Sequence, residues 1–193
     1  AASVGIFVVC QDVNGAALEK GRKTIADSLG RLVKKEKLTA AEAEATLGRI
    51  QFTTETSALA ETQMIVEAAT ENVALKYKIF ESLSQVAPSE VILATNTSSI
   101  SITAIAAHTN RPDRVVGMHF MNPVPLMQLV ELIRGLATSD ATFAATEALA
   151  KKMGKTTVVG RDMPGFIVNR VLMPYINEAV QALYEGIGSV EDI

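Results

Sequence analysis

Short apolar segments that are typical of buried strands alternate with amphipathic helical segments along most of the chain. The strand pattern covers residues 4–11, 50–53, 64–69, 91–95, 114–120, 129–133 and 156–159. Helical patterns follow Asn14 and Ser139 and also cover residues 40–47, 72–87, 99–107 and 165–185. This alternation predicts an α/β domain with a mainly parallel sheet. Because the chain turns helical after residues 162–165 (DMPG), we expect one domain over residues 1–162 and the start of an all-α domain over residues 163–193.

Composition and charge exclude several classes of protein. The 193 residues carry 18 basic and 21 acidic side chains, and a net charge of −3 gives no reason to expect nucleic acid or an anionic membrane as a partner. The longest uncharged stretch, residues 91–110, is half Thr, Ser, Asn and His and is too polar to span a bilayer. With one cysteine and no metal-ligand cluster, we expect a cytoplasmic protein without a bound metal.

His119 and Glu131 are the strongest candidates for chemistry. His119 lies near the end of one predicted strand, and Glu131 stands between aliphatic residues in the next one. A carboxylate in such a strand is costly to bury without a partner. A His–Glu pair would satisfy both groups and would yield an oriented general base.

Four other patterns allow both a structural and a functional interpretation. Asp12 ends an apolar strand, where an acid can bind the ribose of a dinucleotide, although acids at strand ends are common. Residues 96–99 (NTSS) could cap a helix or line a ligand crevice. Asn169 could join a buried network or contact a ligand. Residues 19–37 carry seven basic and three acidic side chains, which suits a solvated helix face or a site for the phosphates of coenzyme A.

Four motifs occur in an order that is characteristic of one enzyme family. They are residues 94–99 (ATNTSS), 117–125 (GMHFMNPVP), 129–131 (LVE) and 164–170 (PGFIVNR). On these motifs the whole chain resembles the L-3-hydroxyacyl-CoA dehydrogenases, and among them the bacterial 3-hydroxybutyryl-CoA dehydrogenases. The resemblance implies a Rossmann domain that binds NAD, a helical domain that dimerises, and oxidation of an (S)-3-hydroxyacyl-CoA to the 3-oxoacyl-CoA.

The resemblance also implies roles for individual residues. It makes His119 the base that Glu131 orients, and it places Ser98 and Asn169 at the reacting oxygen. The positions that it assigns to the cofactor are Asp12, Glu71, Lys76, Asn96, Ser98 and Asn122. Ser28 and Lys35 match positions that hold coenzyme A, which makes the acyl-CoA the expected partner together with a second subunit in the full-length parent.

From this resemblance we expect the first strand and the glycine-rich turn of the family, and most of its second domain, to be missing from these 193 residues. We therefore expect these 193 residues alone to bind NAD poorly and to fold marginally.

Two other functions stay open. One is a Ser–His–acid hydrolase that uses Ser98, His119 and Glu131, which the absence of a G-x-S-x-G turn around Ser98 disfavours. The other is a catalytically incompetent fragment or a non-catalytic binding protein of the same fold.

Overall fold

Seven short strands rich in aliphatic and β-branched residues form two sheets in the computed structural model, which describes residues 1–193. The strands are β1 (Val8–Gln11), β2 (Ile50–Thr53), β3 (Met64–Glu67), β4 (Ile92–Thr95), β5 (Val115–Phe120), β6 (Leu129–Arg134) and β7 (Thr156–Arg161). β1 and β2 pair in parallel, and the other five form a sheet in the order β3-β4-β5-β6-β7. In that sheet β4–β5 and β6–β7 are parallel, whereas β5–β6 is antiparallel. The predicted α/β class with a mainly parallel sheet is confirmed.

Six α-helices connect and follow the strands. They are α1 (Gly15–Lys34), α2 (Ala40–Gly48), α3 (Val73–Val86), α4 (Ile102–Ala107), α5 (Asp140–Lys152) and α6 (Val168–Tyr184). Local sequence explains where several of them begin. The Asn14 side chain accepts hydrogen bonds from two amides in the first turn of α1, and Thr39 forms a capping box with Glu42 at the start of α2. Both caps supply acceptors to amides that have no partner within the helix.

Two predicted elements start later than their patterns suggested. The strand predicted from residue 4 begins at Val8, because residues 2–4 form a 3-10 turn that ends at Gly5 with a φ of 83°. The helix predicted from residue 99 begins at Ile102. Thr97 Oγ1 accepts hydrogen bonds from the amides of residues 99 and 100 and so holds them in a turn before the helix.

The last helix also starts later than predicted. It was expected from residue 165 but begins at Val168, because Gly165 and Phe166 have φ values of 79° and 47° that no right-handed helix contains. Pro174 lies inside α6, where the sequence pattern placed it. The turn before α6 therefore has a conformation of its own.

The chain divides into two compact units. One consists of Ala1–Ile65 with Ser82–Val91, and the other of Val66–Glu81 with Ile92–Ile193. The core of the second unit includes fully buried aliphatic side chains of the sheet: Leu93, Val115, Val116, Met118, Val130, Leu132 and Ile133. None of the helices is both long and apolar enough to cross a bilayer. The predicted division at residue 162 stays a prediction.

Candidate active site

His119 and Glu131 face each other across the antiparallel pair β5–β6. They are register partners, and Nδ1 of His119 lies 2.7 Å from Oε2 of Glu131. Their side chains are only 7% and 0% exposed, so both groups have to find their hydrogen-bond partners within the protein. A carboxylate can only accept a hydrogen bond, so Nδ1 carries a proton, and in the neutral imidazole Nε2 then keeps its lone pair. The pair therefore presents an oriented imidazole that can take up a proton at Nε2.

Ser98 extends this pair to three side chains. Its Oγ lies 3.1 Å from Nε2 of His119, within the distance at which the hydroxyl donates to that nitrogen. Ser98 follows β4, and the parallel pairing of β4 with β5 brings the carboxyl ends of both strands to one edge of the sheet. Ligands bind at this edge in open α/β folds. The structure thus brings together three residues that the sequence singled out.

The second oxygen of Glu131 binds the start of α6. Oε1 accepts hydrogen bonds from the amides of Ile167 at 2.9 Å and Val168 at 3.0 Å. Amides in the first turn of a helix lack partners within the helix, and the positive end of the helix dipole favours a carboxylate there. Together with His119 these amides give Glu131 three donors, which offsets the cost of burying its charge. Neither amide was predicted to take part in the site.

Glu71 and Asn96 hold the segment that carries Ser98. The two carboxylate oxygens of Glu71 accept hydrogen bonds from Thr97 Oγ1 at 2.7 Å and from the Ser98 amide at 3.0 Å. The Oδ1 atom of Asn96 accepts a hydrogen bond from the amide of Phe120 at 2.8 Å. Phe120 directly follows His119 in β5. The contacts of Glu71 therefore hold the segment of Ser98 after β4, and the contact of Asn96 holds the backbone beside His119.

A buried ion pair lies at the ends of β3 and β4. Lys76 and Glu67 have side chains only 1% and 3% exposed, and Nζ of Lys76 lies 2.5 Å from Oε2 of Glu67. Thr95 donates its hydroxyl to the same oxygen at 2.9 Å, and the amide of Ala69 binds Oε1 at 2.8 Å. Sequence reasoning missed Glu67, although it shows the sign that revealed Glu131, a carboxylate that adjoins aliphatic residues in a strand.

Comparisons with known proteins decide which family carries this site. Residues 1–163 match the model described as 3-hydroxyacyl-CoA dehydrogenase, NAD binding domain, and residues 165–193 match the model of the 3-hydroxyacyl-CoA dehydrogenase C-terminal domain. The chain belongs to the 3-hydroxyacyl-CoA dehydrogenase family. The predicted family, its class as an NAD-dependent oxidoreductase and its cofactor are thereby confirmed.

Individual proteins of this family match the chain over its whole length. A protein of Bacillus subtilis (strain 168) named probable 3-hydroxybutyryl-CoA dehydrogenase is 49% identical over all 193 residues, which cover 67% of that relative. The crystal structure of (S)-3-hydroxybutyryl-CoA dehydrogenase from Ralstonia eutropha is 54% identical, with a TM-score of 0.96 over 100% of this chain and 68% of that one. The 3-hydroxyadipyl-CoA dehydrogenase of Escherichia coli (strain K12) is 44% identical and has 41% of its length covered. The chain spans about two thirds of the 3-hydroxybutyryl-CoA dehydrogenases that it matches.

In this dehydrogenase, three residues assigned to the cofactor line one pocket of the second unit. Glu71, Lys76 and Asn96 border a cavity of about 260 Å³ together with residues 68–70. The cavity lies just beyond the ends of β3 and β4, and its polar side chains suit the sugar and amide groups of a dinucleotide. These residues therefore fit NAD. The Lys76 ammonium contributes little net charge there, because Glu67 is bound to it.

The other predicted residues of the dehydrogenase occupy different places. In the first unit, Asp12 is exposed just after β1, where its Oδ1 accepts a hydrogen bond from the amide of residue 14. Ser28 is half-buried on α1, and Lys35 is exposed at the end of that helix. In the second unit, Asn122 is exposed beyond β5, and Asn169 is half-buried in the first turn of α6.

Asp162, directly after β7, caps α4 of the dehydrogenase from outside that helix. Its two oxygens accept hydrogen bonds at 2.8 Å from the amides of Ile102 and Thr103 and from the hydroxyl of Ser101. Burial by itself raises the pKa of Asp162, but the hydrogen bonds from these three residues outweigh it, and the pKa lies below the ordinary value. The ionised form therefore stabilises the fold above about pH 4, and this stabilisation is lost as the pH falls through the lowered pKa.

Proposed function

We propose that the protein oxidises the 3-hydroxyl of an (S)-3-hydroxyacyl-CoA, with 3-hydroxybutyryl-CoA as the substrate and His119 as the base. The observation that carries this proposal is the chain of hydrogen bonds that runs from the half-buried Ser98 through His119 to the buried Glu131. A base with Nε2 aimed at the carboxyl edge of the sheet is what removal of a hydroxyl proton requires. The names of the relatives support 3-hydroxybutyryl-CoA as the substrate.

The proposed reaction assigns a separate task to each of the three side chains. His119 takes the hydroxyl proton at Nε2, and the adjacent carboxylate of Glu131 stabilises the imidazolium that forms. Ser98 lies within reach of the same nitrogen and is proposed to hold the reacting oxygen by a hydrogen bond. NAD, when bound, accepts the hydride from the carbon that becomes the ketone. In the reverse direction protonated His119 returns the proton to the alkoxide.

Further residues are proposed to bind the cofactor and the substrate. In the second unit we assign Glu71, Lys76, Asn96, Ser98 and Asn122 to NAD and Asn169 to the reacting end of the substrate. In the first unit we assign Asp12 to the ribose of NAD, and Ser28 and Lys35 to coenzyme A. The net positive charge of the sequence around α1 supports this last assignment, because phosphates bind to clustered basic side chains.

The domain organisation, oligomeric state and location of the protein are also proposed. We assign residues 1–162 to the NAD-binding domain and residues 163–193 to the start of a helical domain. The two family matches, which meet near residue 164, support this division. A homodimer is proposed for the full-length parent, in keeping with the exposed apolar side chains of α6, such as Val171, Tyr175 and Val180. A cytoplasmic location, without nucleic acid or membrane partners, is proposed from the composition.

Hydrolysis is the second candidate function, because a hydroxyl, an imidazole and a carboxylate in sequence also describe a serine hydrolase. Such an enzyme needs backbone amides that stabilise an oxyanion. The amides nearest to the Ser98 hydroxyl already have acceptors: Glu71 binds that of Ser98, and Thr97 Oγ1 binds those of residues 99 and 100. This use of the amides favours the dehydrogenase over the hydrolase.

One set of assays separates the dehydrogenase, the hydrolase and a non-catalytic protein. The 193-residue chain and a chain completed to the length of its relatives are given NAD with (S)- or (R)-3-hydroxybutyryl-CoA, and each is also treated with a fluorophosphonate. We expect the completed chain to form NADH with the (S)-substrate alone and to resist labelling. Labelling at Ser98 would support the hydrolase, and a folded chain that is silent in both assays would support the non-catalytic protein. Full activity of the 193-residue chain would refute the expectation that it binds NAD poorly.

A further inference from the structure

The turn before α6 holds a bulky residue in an unfavourable backbone conformation. Phe166 has a φ of 47°, in the left-handed region that residues with a large side chain rarely adopt. Backbone hydrogen bonds fix the turn, from the amide of Phe166 to the carbonyl of Met163 at 2.9 Å and from the amide of Arg170 to the carbonyl of Gly165 at 3.1 Å. Such a conformation persists only where surrounding contacts determine it, and it occurs most often at functional sites.

The contacts that Phe166 makes lead to the proposed base. Its side chain is buried, and its ring lies edge-on to the His119 imidazole with 5.8 Å between the ring centroids and 62° between the planes. This distance and angle are those of a favourable aromatic pair. The ring therefore covers part of an imidazole that is itself buried.

The same turn also delivers the two amides that bind Glu131. They belong to Ile167 and Val168, the residues directly after Phe166. If Phe166 took an ordinary helical conformation, the ring and these amides would point elsewhere, because a change in one φ angle reorients the chain on both sides. The left-handed conformation of Phe166 thus affects both the ring that lies against His119 and the two amides that bind Glu131.

We propose that Phe166 is a positioning residue of the dehydrogenase, which fixes the His119 ring in the orientation that proton transfer requires and shields it from water. The proposal rests on the proposed role of His119 as the base. Phe166 touches neither the cofactor nor the reacting atoms in this role. It acts through the imidazole, so its loss should lower kcat and leave KM for the cofactor unchanged.

The test compares four proteins in a completed chain that carries His108→Gln, so that His119 is the single histidine within residues 1–193. Phe166→Leu removes the aromatic edge, Phe166→Tyr keeps it, and Phe80→Leu truncates another buried ring elsewhere; the fourth protein is the His108→Gln parent. Two assays are run on each protein. The first determines kcat and KM for NADH oxidation with acetoacetyl-CoA, and the second determines, without any cofactor, the rate at which diethylpyrocarbonate modifies the peptide that contains His119. Circular dichroism establishes that each variant is folded.

We expect kcat of Phe166→Leu to fall by about 10- to 100-fold, since a small misplacement of a reacting group has an effect of this order. His119 should be modified several-fold faster in the same variant. Phe166→Tyr and Phe80→Leu should match the parent in both measurements. Parent-like kcat and modification rates in folded Phe166→Leu would overturn the proposal, as would equal losses in Phe80→Leu. If Phe166→Leu does not fold, Phe166→Tyr decides. A folded Phe166→Tyr protein that loses kcat although His119 is still modified as slowly as in the parent would overturn the proposal. A parent without turnover would refute the proposed function, while the modification rates would still decide whether Phe166 shields His119.

Discussion

Replacement of Glu131 by glutamine should abolish most of the activity while it leaves a folded protein. The glutamine oxygen can still accept the hydrogen bonds of the Ile167 and Val168 amides. Its NH₂ group then faces Nδ1 of His119, which has to accept rather than donate. This moves the ring proton to Nε2 and removes the lone pair that takes the substrate proton. General-base catalysis contributes about 10²–10⁴-fold, and we expect a loss of that size.

The stability change in the same variant follows from the same three hydrogen bonds. Glu131→Gln loses a charge-assisted bond to His119 and should cost about 1.5–3 kcal/mol. Glu131→Ala leaves three buried donors without an acceptor, at about 1–3 kcal/mol each, which approaches the whole stability of an ordinary domain. Urea unfolding followed by circular dichroism, together with NADH oxidation on acetoacetyl-CoA, measures both effects in a completed chain. Parent-like activity in Glu131→Gln, or equal stability of the glutamine and alanine variants, would refute this reasoning.

Three further changes test the structural contacts by urea unfolding. Asp162→Asn should lower stability by about 1–3 kcal/mol at neutral pH, because the NH₂ group of Asn cannot accept the hydrogen bonds that one carboxylate oxygen accepts. The difference should shrink as the pH falls below about 4, where the charge of Asp162 is lost. Lys76→Met should cost about 3–5 kcal/mol because it leaves the buried Glu67 without a counter-charge, and Glu67→Gln in the same chain should restore part of the loss. Gly117→Ala should cost about 1–3 kcal/mol, because the new Cβ would lie 2.9 Å from side-chain atoms of Ile102 and Ile133.

For each of these three substitutions, one outcome would contradict the physical explanation given for it. A stability difference for Asp162→Asn that persists unchanged in acid would mean that the charge of the carboxylate is irrelevant to the cap. Additive losses in the Glu67→Gln, Lys76→Met double variant would mean that the two groups are not coupled. An unchanged stability of Gly117→Ala would mean that the neighbouring side chains can move away.

The sequence predicted the parts of this protein that depend on local pattern. The order of strands and helices follows from hydrophobic periodicity, which reports burial directly. The pairing of His119 with Glu131 was predictable, because a carboxylate among aliphatic residues needs a partner and the chain contains only two histidines. The other roles assigned to site residues came from the family motifs and stay predictions.

The remaining features depend on tertiary contacts that no local pattern reports. The left-handed φ of Phe166 is invisible in the sequence, since a phenylalanine there gives no sign of it, and the late start of α6 was missed for the same reason. The antiparallel pairing of β5 with β6 sets the register that joins His119 to Glu131, and the alternation of elements did not reveal it. Glu67 was missed because its partner Lys76 lies on the following helix and was assigned to the cofactor from the family motifs, so that no local pattern linked the two residues.

The account depends most on His119 as the base, and one comparison tests this directly. The rate of NADH formation from (S)-3-hydroxybutyryl-CoA is measured for His119→Gln and for His108→Gln in a completed chain. His108 is the matched control, as the only other histidine within residues 1–193, and it binds Glu81 and stacks on Tyr77. We predict that His119→Gln slows the reaction by about 10²–10⁴-fold and that His108→Gln leaves it unchanged. A folded His119→Gln protein that reacts at the parent rate would contradict the account.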